Sequence, residues 1–105
     1  MPTMQDSIAV LANSVSANVL AGQLYEFVEN GTQVTVSVTG SLTGLRCSYI
    51  SGIPLINDQA INLQNRFPLI PDDIIHSGSV PGGRQVLTFR NTTAGTVTAF
   101  WRVDL

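Results

Sequence analysis

Residues 34–40 read Val34-Thr35-Val36-Ser37-Val38-Thr39-Gly40. Valine alternates with small polar residues at a period of two, the pattern of a strand with one apolar and one polar face, and the glycine ends the run. Toward the N-terminus, Leu24-Tyr25-Glu26-Phe27-Val28 is a second strand candidate. The intervening Glu29-Asn30-Gly31-Thr32 carries an Asn-Gly turn signal, and this spacing predicts an antiparallel hairpin. Residues 7–21 contain Ala and Leu that permit helix. Asn13, Ser14, Ser16 and Asn18 are poor helix-interior residues, so the run is read as extended.

Toward the C-terminus, residues 86–90 and 96–103 read as two strands around Asn91-Thr92-Thr93-Ala94-Gly95. In the last strand Val97, Ala99, Trp101, Val103 and Leu105 share one face, expected to be the core face, while Thr98, Phe100, Arg102 and Asp104 share the other. Shorter candidates lie at residues 45–50 and 60–63. Residues 51–59 and 65–84, interrupted by Pro54, Pro68, Pro71 and Pro81 and by several glycines, do not read as regular strands. With no helical period anywhere, the expected fold is all-β: an antiparallel β-sandwich, a jelly roll of about seven to eight strands.

The chain has 105 residues, the size of one domain over residues 1–105, with residues 1–10 expected as a contact arm. It contains no lysine and only 11% charged residues, against about 25% in ordinary soluble domains. Such a surface must stay soluble through Thr, Ser, Asn and Gln or be covered by partners. A net charge of −2 with five scattered arginines offers no basic stripe for phosphates, so nucleic acid is not an expected partner. No run reaches the roughly 20 apolar residues of a membrane-spanning helix, and the N-terminus lacks the basic start of a signal peptide. Cys47, the single cysteine, reads as a small buried hydrophobe.

Chemistry is sparse. His76 is the lone histidine, which excludes multi-histidine metal sites, and it reads as a surface or loop histidine bonded to backbone. Asp72 and Asp73 after Pro71 suit the opening of a short helical turn rather than a calcium loop. Ser77, Ser79 and Asp73 lie near His76 in sequence without a nucleophile-elbow pattern, and Glu26 and Glu29 are not spaced to face one another. Gly82-Gly83 lacks the lysine and helix of a phosphate loop. Asn30-Gly31-Thr32 and Asn91-Thr92-Thr93 match the glycosylation sequon but read as turns. No enzyme, cofactor or metal site is expected.

A β-rich chain with Pro-rich loops and the segment Leu87-Thr88-Phe89-Arg90-Asn91-Thr92-Thr93-Ala94-Gly95-Thr96-Val97-Thr98 resembles small single jelly-roll virion proteins of bacteriophages: capsid decoration or cement proteins and minor capsid proteins. The resemblance lies in strand rhythm across most of the chain. It implies a structural virion protein, made in a host cytoplasm, that binds and stabilises a shell as a trimer or pentamer. Its partners would be further copies of itself and a major capsid protein, with no nucleic acid or membrane. Arginine and aromatics without lysine suit a desolvated interface. The expected contact residues are Phe67, Leu69, Ile70, Ile74, Ile75, Phe100 and Arg102. The alternative reading is a non-catalytic β-sandwich binding module for carbohydrate or peptide, whose sign would be an exposed aromatic in a groove.

Overall fold

In the computed structural model, which describes residues 3–61, 64 and 68–105, the Val/Thr alternation around residue 36 forms strand β3 (Gln33–Gly40). The other strands are β1 (Thr3–Val10), β2 (Phe27–Val28), β4 (Leu45–Ser51), β5 (Ile53–Ile61), β6 (Ile74–Ser79), β7 (Gly83–Asn91) and β8 (Val97–Asp104). They form two antiparallel four-stranded sheets, ordered β1-β8-β3-β6 and β2-β7-β4-β5. Successive strands alternate between the sheets except at the β4–β5 hairpin. This double Greek key is the jelly roll the sequence predicts.

The core follows from period-two burial. Val34, Val36 and Val38 of β3, Leu45, Cys47 and Tyr49 of β4, Leu87 and Phe89 of β7, and Val97, Ala99, Trp101 and Val103 of β8 meet between the sheets. Trp101 lies on the expected face. Each large apolar side chain removed from water contributes roughly 1.5–3 kcal/mol.

Several expectations are corrected. The Glu29–Thr32 turn is not a hairpin, because β2 pairs with β7 and β3 with β8 and β6, so the chain changes sheets there. Gly82 explains why that crossing is tight. At φ +88° a Cβ would stand 2.5 Å from the Asn30 amide nitrogen, so the turn before β7 rests backbone to backbone on the turn after β2. Residues 51–59 are not irregular: Ser51 ends β4, Gly52 turns the chain at φ +72°, and residues 53–59 form most of β5. Residues 65–84 include a 3₁₀ turn at Pro71–Asp73, as Pro-Asp-Asp predicts, then β6 and the opening of β7. Residues 3–10 of the expected contact arm are edge strand β1, in unbroken register with β8 from Thr3↔Asp104 to Val10↔Val97.

The run after β1, expected to be extended, is so only over residues 14–18, between a turn at residues 12–13 with Asn13 at φ +51° and turns from residue 19 on, and it is not a strand. Residues 14–18 lie along the edge of β7, where the Ser16 amide donates to Phe89 O and the Asn91 amide to Ser14 O. Between these, side chains replace backbone acceptors: Ser16 Oγ takes the Phe89 amide at 2.9 Å and Asn18 Oδ1 takes the Leu87 amide at 3.0 Å. These polar side chains turn inward while Leu11 and Val15 face solvent.

Candidate interaction surfaces

β3 and β8 present their second face away from the core, and the segment before β6 folds onto it. Leu69, Ile70, Pro71 and Ile74 stand opposite Thr35, Ser37, Arg102 and Asp104 around an open groove of about 190 Å³. Its floor holds the Arg102–Asp104 ion pair, with Nε 2.9 Å from Oδ2. Asp73 is buried at the end of the turn and accepts the Ile70 amide at 2.8 Å, which fixes the segment's path. Ile70 and Ile74 remain 48% and 43% exposed.

This groove gathers four of the expected contact residues: Leu69, Ile70, Ile74 and Arg102. The others separate. A register shift between Val36 and Ser37 sets Ile74 opposite Ser37 and His76 opposite Val36, so Ile75 turns inward and packs against the core. Phe100 does point away from Trp101's face, but it is buried, at 8% exposure, rather than open to a partner. Phe67 lies outside the described residues.

The sequence did not single out a second groove, beyond the end of β8 and the start of β3. Tyr25, Phe27, Val28, Glu29, Thr32 and Leu105 line an open space of about 280 Å³. Phe27 is 67% exposed and the adjoining Leu24 83%. The available signal was an excess of apolar residues of both parities in Leu24-Tyr25-Glu26-Phe27-Val28, more than one buried face can take. Beside it the Glu26 carboxyl is held below the ordinary carboxylate range, first by the Gly22 amide and then by Arg84, whose Nε lies 2.9 Å away.

Elsewhere the arginine charges are neutralised within the chain. On the outer face of the second sheet Asp58, at φ +53° in β5, receives both Nε and Nη2 of Arg90, at 3.0 and 2.7 Å, and Nε of Arg46 at 3.1 Å. The Arg90 hydrogen bonds are the main cause that lowers the Asp58 carboxyl below its ordinary range. Arg46, Arg84, Arg90 and Arg102 are thus all ion-paired internally, and Arg66 lies outside the described residues.

The residues weighed for chemistry do not assemble. His76 is not on the surface as expected: it faces inward, its ring 5.7 Å from that of Tyr49 at 49°, with Nε2 buried and without a partner among the described residues. Ser77 lies on the opposite face of β6, its Oγ 3.3 Å from Thr35 Oγ1. Gly82-Gly83 is filled by Gly52 and Asn30. Among the described residues no three His, Cys, Asp or Glu side chains gather as a metal site. Burial pushes the Cys47 thiol up to about 12, which keeps it protonated and unreactive. The Asn91 side chain is buried, with Nδ2 donating to Val10 O and Gly95 O and Oδ1 accepting from Thr93. It ties a turn and cannot accept a glycan in the folded chain.

The chain matches no protein-family model, no curated protein and no solved structure. Function therefore rests on the surfaces themselves.

Proposed function

We propose that this protein is a structural virion component that binds and stabilises a capsid shell as a symmetric oligomer, in the manner of a decoration, cement or vertex protein. The observation that carries this reading is the groove on the outer face of the first sheet. There Leu69, Ile70, Pro71 and Ile74 form an apolar wall, and the one charged pair within it, Arg102–Asp104, is already neutralised. Such a surface can be dried against a neighbour with little electrostatic cost, since a lone charge is the expensive thing to bury. The rigid jelly roll and the arginines paired within the chain support the same reading.

Native mass spectrometry at micromolar concentration tests it. A trimer or pentamer is expected, and the double substitution Ile70→Ser/Ile74→Ser should return it to monomer without unfolding it. A wild-type monomer overturns self-assembly through this groove. The second reading, a carbohydrate- or peptide-binding module, is favoured by Phe27, which stands open beside Tyr25, Glu29 and Thr32. A monomer that binds a glycan or peptide array, and loses that binding in Phe27→Ala, would replace the first reading with this one.

A further inference from the structure

A sandwich has four strand edges, and three of them are blunted. At the β2 edge the strand itself spans only two residues, and Ser16 and Asn18 side chains stand where a backbone ladder would run. β5 carries Pro54, two register shifts and the positive-φ Asp58. β6 is six residues long with a register shift and Gly78 at φ +151°. β1 is different: eight residues, no proline, and unbroken register with β8. A straight edge of that length is a template for another strand.

The direction of its free backbone groups can be worked out. The Ser41 amide donates to Thr98 O at 2.8 Å, so even-numbered residues of β8 turn their backbone groups toward β3 and odd-numbered ones toward β1. In β1 the residues bonded to β8 are therefore Met4, Asp6, Ile8 and Val10, opposite Val103, Trp101, Ala99 and Val97. Thr3, Gln5, Ser7 and Ala9 send their N–H and C=O groups outward. One of those outward amides is occupied: Ser7 N–H donates to Asp6 Oδ1 at 2.8 Å. Asp6 stands on the core-facing side at the seam between the sheets, near Ile8, Val19 and Trp101, and has no ion pair among the described residues.

We propose that β1 is a strand-accepting edge complementary to β1 of a second copy, and that Asp6 is the guard that keeps it unpaired. Two β1 strands can meet antiparallel about a two-fold axis with both core faces on the same side. Centred on Ser7, this pairing sets Gln5 against Ala9 and Met4 against Val10, which are compatible neighbours, but sets Asp6 against Ile8. Centred on Asp6 it opposes two carboxylates, and centred on Gln5 it sets Asp6 against Met4. Each register places the carboxylate against an apolar side chain or its own copy, with no cation to meet it, and each requires Asp6 to release the Ser7 amide. An inward-pointing charge on an edge strand is a known device against sheet extension. The inference is independent of the shell-binding reading.

The test compares native masses of wild type, Asp6→Ala and Asp6→Ala/Ser7→Pro from micromolar to millimolar concentration, with circular dichroism to confirm that each is folded. Wild-type mass bears on the shell-binding reading, and the ratio of variant to wild type bears on this one. Asp6→Ala should double the wild-type mass. Ser7→Pro, which removes an outward N–H that β8 does not use, should reverse the doubling. A folded Asp6→Ala with wild-type mass throughout overturns the guard, and a doubled mass that survives Ser7→Pro overturns pairing through β1.

Discussion

At the residue scale, the tightest electrostatic arrangement is Asp58 between Arg90 and Arg46. Its carboxyl titrates below its unfolded value of 3.8, so the stability it contributes is fully present above that value and is lost as pH falls through the lower folded value. Thermal unfolding followed against pH should therefore show wild type more stable than Asp58→Asn at neutral pH. That advantage should shrink below pH 3.8 and, because the cluster is half-exposed, also shrink in high salt. Single residues were unevenly legible. Cys47 and Trp101 sit where alternation with polar neighbours places them. His76 does not, because the bulge at Ile75 shifts which side chains of β6 face inward, and a bulge leaves no mark in a pattern of two isoleucines followed by histidine. Asn91 read as an ordinary turn asparagine, and its bonds with Gly95 and Thr93 are of that kind; the fourth, from Nδ2 to Val10 O, reaches 81 positions away in the chain and has no local signal.

At the element scale, the run beside β7 is held by side chains doing the work of a ladder. Asn18 alone accepts the Leu20 and Leu87 amides and donates to Gln85 O. Asn18→Ala should cost about 1–3 kcal/mol in denaturant unfolding, because amides are left without acceptors. Amide exchange at Leu87 should accelerate more than at Cys47 on the neighbouring strand. The same geometry explains why the Asn-Gly turn misled. Local turn chemistry specifies that the chain reverses but not which sheet receives the next strand; β2 is taken by β7, more than fifty residues on, which no local signal announces. β3, β4, β7 and β8, buried and regular, were legible from alternation. β5 and β6 are edge strands with proline, glycine and bulges, the features that also mark loops. Of the outer groove, the apolar residues were legible, while the split of Ile74 from Ile75 and the burial of Phe100 were not.

At the scale of the whole molecule, the N-terminal segment is part of the body rather than an appendage. Met4 is a member of the core and β1 covers one side of β8. Deleting residues 1–6 should lower stability by at least about 2 kcal/mol, roughly 10 °C in thermal unfolding. An unchanged unfolding temperature would show that β1 contributes nothing to the sandwich. One interior feature bears on how the sheets find their places. Between them the Tyr49 hydroxyl donates to Gln85 Oε1, and Gln85 Nε2 donates to Ser51 Oγ at 2.7 Å, all three residues being buried. Leucine, tyrosine, cysteine and phenylalanine along β4 and β7 settle which face of each strand is dry. A slide of two residues would keep every one of them dry. The same slide would part Gln85 from the Tyr49 and Ser51 hydroxyls, leaving its Oε1 without a donor and its Nε2 with only Gly83 O of its own strand, so this small polar group works as a key that favours a single alignment of the two strands.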